Sequence, residues 1–160
     1  LVDAVSDMEG VAVFNLYELS QEIAFNIDEW SKIISDASAV IYQFPFYWMS
    51  APSLLKKWQD EVFTFLSKTP AVAGKPLTVV TTTGSEYEAY RSGGRNRFTT
   101  DELLRPYQVS AIHSGMSWQT PIVVYGMGTA DAGKNIAEGA NLYKQRVEML
   151  IGSSNAGNNW

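Results

Sequence analysis

Residues 43–52 read QFPFYWMSAP and residues 81–90 read TTTGSEYEAY. The first segment places Phe46, Tyr47 and Trp48 between Pro45 and Pro52, directly after the apolar run AVIYQF that begins at residue 39. Small polar residues are the usual occupants of a strand exit, so aromatic rings there present a flat apolar surface. The second segment opens with Thr82, Thr83 and Gly84 and continues to Tyr87 and Tyr90. Glycine at such a place lets backbone N–H groups come close to a ligand. Together the two segments describe an aromatic slot rimmed by N–H and hydroxyl donors, a shape suited to a planar, redox-active heterocycle. Packing of the same rings against the core is the competing reading.

Other chemistry is sparse. With no cysteine and one histidine, His113, the chain offers no thiolate nucleophile, no disulfide framework, no zinc ribbon and few histidine-based metal sites. His113, in VSAIHSGM, reads as a packed or capping histidine, and Asp60, Glu61, Asp101 and Glu102 stand in helical or capping contexts. No pair of carboxylates stands out as an acid and a base. An enzyme built from this chain needs a cofactor to carry the reaction. The stretch GMGTADAG at 126–133 has glycines misplaced for a dinucleotide fingerprint and reads as a loop and helix cap. Arg91, Arg95 and Arg97 either meet a nucleotide phosphate or form a solvated loop.

Those segments must be held by a scaffold. At 160 residues and 46% hydrophobic content the chain has material for one core. Short β-branched runs alternate with longer amphipathic runs, which predicts an α/β architecture with a parallel, buried sheet. Four strands are expected: VAVFNLY from 11, AVIYQF from 39, PLTVVTTT from 76 and PIVVYGM from 121. Between them, Leu54, Leu55, Trp58, Val62 and Phe65 recur at helical spacing, with Lys56/Asp60 and Lys57/Glu61 as outward i,i+4 pairs. A last helix is expected from Asp131 to a stop at Gly152, followed by a frayed tail. In an open parallel sheet, ligands sit beyond the carboxyl ends of the strands, where all three loop candidates lie. The net charge of −5, from 12 basic and 17 acidic residues, argues against a nucleic-acid surface. No apolar run approaches the ~20 residues that span a bilayer, and no signal-like segment opens the chain, so no membrane insertion and a cytoplasmic location are expected.

Three blocks then carry a resemblance: AVIYQFPFYWMSAPSLLKKWQDEVFTF, GKPLTVVTTTGSEYEAYRSGG and FTTDELLRPYQVSAIHSGMSWQTPIVVYGM. In order and spacing they are similar to the flavodoxin-like NAD(P)H:quinone oxidoreductases, the group that includes the modulator of drug activity B, DT-diaphorase and potassium-efflux ancillary reductase types. The resemblance implies an open parallel sheet with helices on both faces and a bound flavin, FMN or FAD. By resemblance, Pro45, Phe46, Tyr47 and Trp48 would hold the isoalloxazine ring, and Thr82, Thr83 and Gly84 would offer N–H and hydroxyl groups to its pyrimidine side. Tyr90 matches the family tyrosine that lines the nicotinamide and quinone pocket, while Asn96 stands where the family has a histidine. The implied activity is ping-pong transfer of a hydride from NAD(P)H through the flavin to a quinone or similar acceptor. The implied assembly is a homodimer with sites at the subunit interface, with a transporter as a further partner.

The family pattern begins with a strand and a flavin-phosphate loop that do not precede LVDAVSDMEG, which reads as the last turns of a helix ending at Gly10. The expectation is therefore a single flavodoxin-like domain over 1–160, N-terminally incomplete, without the first strand and phosphate loop. A flavodoxin-like binding or regulatory subunit that retains no cofactor is the alternative function.

Overall fold

The computed structural model describes residues 1–19 and 24–156. Its sheet is built around β2, Pro76–Thr82, with all pairings parallel. On one side β1, Val40–Pro45, runs in register from Val40 opposite Leu77 to Pro45 opposite Thr82. On the other side two short strands succeed one another, β3 at Ser117–Trp118 and β4 at Ile122–Val124. Pro121 brings no N–H to the gap between them, and the Thr78 hydroxyl donates to the Thr120 carbonyl at 3.1 Å across it. With neighbours on both edges and helices on both faces, β2 is buried from Leu77 to Thr81, which is why its sequence is apolar or Thr throughout rather than alternating.

The helices divide between the two faces. One core joins Tyr42, Phe44, Leu77 and Val79 to Trp30 and Ile34 of α2 (Ile27–Asp36), Leu55 and Trp58 of α3 (Ser53–Trp58), and Tyr107 and Ala111 of α6 (Arg105–His113). The opposite core joins Val80 and Ile122 to Tyr143 and Val147 of α7 (Ala132–Ala156) and to Val5. Local signals set the helix ends. The Asn26 side chain accepts from the N–H groups of Asp28 and Glu29 at the start of α2. Thr99 and Glu102 form a reciprocal capping box at α5 (Thr100–Leu103).

Three expectations are corrected. Residues 11–17 do not form a strand: 11–15 are irregular and Leu16–Leu19 is a short helix, α1. A parallel strand needs a neighbour, and among the described residues none pairs with the outer edge of β1. The apolar side chains of Val13, Phe14 and Tyr17 accordingly remain exposed. Second, the helix over 53–66 passes through a π-helical stretch, Gln59–Phe63, before α4 at Thr64–Leu66. The wider turn shifts the phase of the residues beyond it, so Phe63 and Leu66 face the core and Phe65 is exposed. Both outward ion pairs, Lys56 with Asp60 and Lys57 with Glu61, are present. Third, Gly152 does not end α7, which continues to Ala156. An exposed glycine inside a helix costs only ~1 kcal/mol relative to alanine.

Candidate functional site

The chain leaves β1 at Pro45 and folds back at once. Tyr47 N–H donates to the Ser50 carbonyl at 2.8 Å and Ser50 N–H returns to the Tyr47 carbonyl at 2.9 Å, closing a two-residue turn over Trp48 and Met49. Both central residues are left-handed, with φ of 47° and 63°. Turns of this kind favour Asn-Gly, and a bulky side chain there carries strain. The rest of the turn is firmly placed: the Tyr107 hydroxyl lies 3.3 Å from Ser50 Oγ and accepts from Ala51 N–H at 3.1 Å. Trp48 stands almost free, 97% exposed, beside Tyr47 at 61% and Met49 at 43%. The N–H groups of Trp48 and Met49 are not spent on the turn's own bonds.

Next to it is the turn after β2. Phe46 N–H donates to the Thr82 carbonyl at 2.9 Å, so the two turns leave the sheet side by side. Backbone bonds then sew the second turn to the loop after β4: Thr83 N–H to Val124 O, Met127 N–H to Thr83 O, Gly128 N–H to Gly84 O and Gly126 N–H to Ser85 O, all at 2.8–2.9 Å. Gly126 is left-handed, φ 76°, and a Cβ there would lie 2.9 Å from Asn135 Nδ2. The expected loop in GMGTADAG is thus a clamp on the turn after β2.

A sequence profile described as a flavodoxin-like fold matches residues 1–147. The chain belongs to this flavodoxin-like family. It is 34% identical over 152 residues to an uncharacterized NAD(P)H oxidoreductase of Bacillus subtilis (strain 168), covering 92% of this chain and 77% of that protein. Among solved structures, the general stress protein 14 of Treponema denticola in complex with FMN superposes with a TM-score of 0.83 at 27% identity, covering 92% of this chain and 87% of that one. An NADPH-quinone reductase from P. pentosaceus gives 0.76 at 27% identity, covering 91% and 84%.

Within this flavodoxin-like frame the sequence-predicted residues separate into rim and wall. Pro45, Tyr47, Trp48 and Gly84 lie at the exposed rim, and Thr82 is half-buried at the end of β2. Phe46 is buried, its ring edge-on to Tyr90 at 6.1 Å. Tyr90 is itself 6% exposed and packs on Tyr125 at 5.8 Å, so it forms the wall behind the rim rather than an open pocket lining. Thr83 is buried with both donors committed, its N–H to Val124 O and its hydroxyl to Ser85 O at 2.8 Å. It shapes the turn, whereas the Gly84 N–H takes part in none of the bonds that sew the turn down. His113 ends α6 exposed at the surface.

Three contributors escaped the sequence reading. Met49 is half of the strained turn, Tyr107 anchors that turn from α6, and Tyr125 joins Tyr87 and Tyr90 in the wall. The Tyr125 hydroxyl meets Thr100 Oγ1 at 2.7 Å, and burial pushes its pKa above the usual tyrosine range. None carries a motif: Tyr107 and Tyr125 are defined by partners far away in sequence, and Met49 by a left-handed backbone that its residue type does not announce. Two open clefts of about 430 and 320 Å³ lie along β4 and α7, lined by residues such as Tyr125 and Leu142 and by neither Trp48 nor Gly84. The rim is a shelf open to one side.

Proposed function

We propose that this chain is a flavin-dependent NAD(P)H:quinone oxidoreductase. The observation that carries the reading is the strained turn at Trp48–Met49 beside the Gly84 turn. Strained backbone that persists in a well-anchored frame is characteristic of ligand-contacting sites. The donor set fits a flavin: unspent N–H groups at Trp48, Met49 and Gly84 suit the hydrogen-bonding edge of an isoalloxazine, and the exposed faces of Tyr47 and Trp48 suit its apolar surface. When bound, a flavin supplies the hydride chemistry that the side chains lack, accepting from NAD(P)H and giving to a quinone or similar acceptor in a ping-pong sequence.

The chain's own part is to bind and orient. The rim N–H groups are fixed in place before the ligand arrives, so negative charge developing on the ring would be stabilised without reorganisation. The Phe46–Tyr90–Tyr125 wall closes the inner side against water. A shelf open on the outside, with Trp48 97% exposed, is completed by a second copy of the chain, and we place the site at a homodimer interface. Relatives described as an NAD(P)H oxidoreductase, an FMN complex and an NADPH-quinone reductase support the same reading; FMN is the flavin we propose. No described helix is long and apolar enough to cross a membrane.

The test is an absorption spectrum of the protein loaded with FMN, recorded anaerobically before and after NADPH. Flavin bands that bleach on addition and return with a quinone are expected. A protein that stays colourless after incubation with FMN and FAD removes the proposal.

A further inference from the structure

Beside the rim lies a loop, Arg91–Arg97, that carries three guanidinium groups on a chain whose net charge is −5. It is rigidly built. Asn96 N–H donates to the Ala89 carbonyl at 3.0 Å, and Gly94 N–H and Arg97 N–H close successive turns on Arg91 O and Gly94 O. Gly94 presses so closely on the Tyr87–Tyr90 turn that a Cβ there would overlap the Glu88 carbonyl oxygen. Arg97 is left-handed, φ 62°, in a backbone state that favours Gly or Asn. A merely solvated loop has no need of a long cation at that position.

Two of the three guanidiniums are directed rather than loose. Arg91 lies over the Tyr87 ring, 5.3 Å from its centroid. Arg95 donates to Ser85 Oγ, on the residue directly after Gly84. None of the three joins an ion pair among the described residues. Of the nearby carboxylates, Glu102 is committed to the Thr99 cap, and Glu86 and Glu88 form no ion pair with the loop. Each guanidinium keeps most of its five donors free for a ligand, and planar forks match a phosphate monoester better than a hydroxyl.

We propose that the Arg91–Arg97 loop binds a phosphate monoester, that of the adenosine 2′-phosphate in NADPH, and so makes this chain select NADPH over NADH. The inference rests on the oxidoreductase reading for its biological sense, but its test does not. Calorimetric titration of the protein with adenosine 2′,5′-bisphosphate and with adenosine 5′-monophosphate reads the 2′-phosphate alone. The bisphosphate is expected to bind about 10- to 100-fold tighter. That preference should vanish in the triple variant Arg91→Gln/Arg95→Gln/Arg97→Gln and survive in the corresponding triple Lys variant at higher Kd. Circular dichroism melts check that each variant folds, and Arg97→Gln alone serves if the triple does not.

Parallel titrations with FMN and riboflavin identify the other source of the same chemistry. If the Gln variants lose the preference for FMN over riboflavin and keep that for the bisphosphate, the loop serves the flavin phosphate and the proposal is overturned. Equal affinity of the unaltered protein for both adenosine nucleotides also overturns it. Discrimination between the nucleotides in a protein whose flavin is never reduced would keep the phosphate site and discard the oxidoreductase reading.

Discussion

Two turns sit side by side at the carboxyl end of the sheet, and they are built on opposite principles. The turn after β2 is unstrained at Thr83 and Gly84, and four backbone bonds sew it to the end of β4 and the loop beyond, with the Thr83 hydroxyl adding a fifth to Ser85 O. The turn after β1 holds two large residues in a left-handed conformation and leaves one of them almost wholly in solvent. One turn spends its polar groups on being rigid, and the other keeps strain and exposed surface that bring the isolated chain no stability. On the proposed function, a difference of that kind separates the turn that mainly holds the site from the turn that mainly meets the ligand, and it can be attacked from either side.

The scaffold side should give the largest effect. Gly126→Ala places a Cβ against Asn135 Nδ2 in a left-handed residue, and Asn135 Nδ2 also holds the Tyr125 carbonyl at 3.0 Å. A loss of about 2 kcal/mol is expected, read as a melting temperature lower by roughly 4–8 °C. A melt within a degree of the unaltered protein would show that the clamp is not rigid.

On the contact side, Trp48→Ala should leave stability within about 0.5 kcal/mol, because the ring is 97% exposed and alanine inherits the same backbone strain. Flavin affinity should nonetheless fall by about tenfold, the weight of one aromatic face of ~1.4 kcal/mol. Fluorescence titration of the apoprotein with FMN measures it, and unchanged affinity would remove Trp48 from the proposed flavin site. Met49→Gly makes the complementary case. Relief of its left-handed strain should raise stability by about 1 kcal/mol, while a looser turn should hold flavin less well. A glycine variant that is less stable would mean the Met49 side chain packs usefully and the turn is not strained for function.

Legibility in the sequence divides along the same line. The run PLTVVTTT from 76 was read correctly because burial on both faces of β2 forces an apolar or Thr sequence, and AVIYQF from 39 because its apolar side chains include Tyr42 and Phe44, which β1 buries in the core. That the turns after β1 and β2 leave the sheet side by side was legible as well, since both follow apolar runs that form neighbouring parallel strands. Residues 11–17 misled because apolar, β-branched composition signals strand propensity but not the presence of a neighbour to pair with. Phe65 misled because a single π turn changes helical phase without any marker in the spacing. Thr83 and Tyr90 were read as ligand contacts from their position in a pattern. Only the fold discloses that the Thr83 donors are already used and the Tyr90 ring is covered.

The smallest effect tests how far the scaffold reaches. Thr100, the first residue of α5, fixes the Tyr125 hydroxyl, so the Thr99–Glu102 box that starts this helix lies behind the aromatic wall. Thr99→Ala removes the side-chain cap and should cost about 1 kcal/mol. The Glu102 carboxylate accepts from the Thr99 N–H at 2.8 Å and from its hydroxyl at 2.9 Å, and these bonds hold its pKa below the usual carboxylate value. A lowered folded-state pKa means that the carboxylate contributes stability above its unfolded pKa, and that this is lost as pH falls through the folded value. Glu102→Gln should therefore be slightly less stable than the unaltered protein at neutral pH, with the gap closing on acidification below the usual carboxylate range. Denaturant melts of both proteins across that range decide it: a gap that persists at low pH would assign the effect to the shape of the glutamine and not to charge at the helix start.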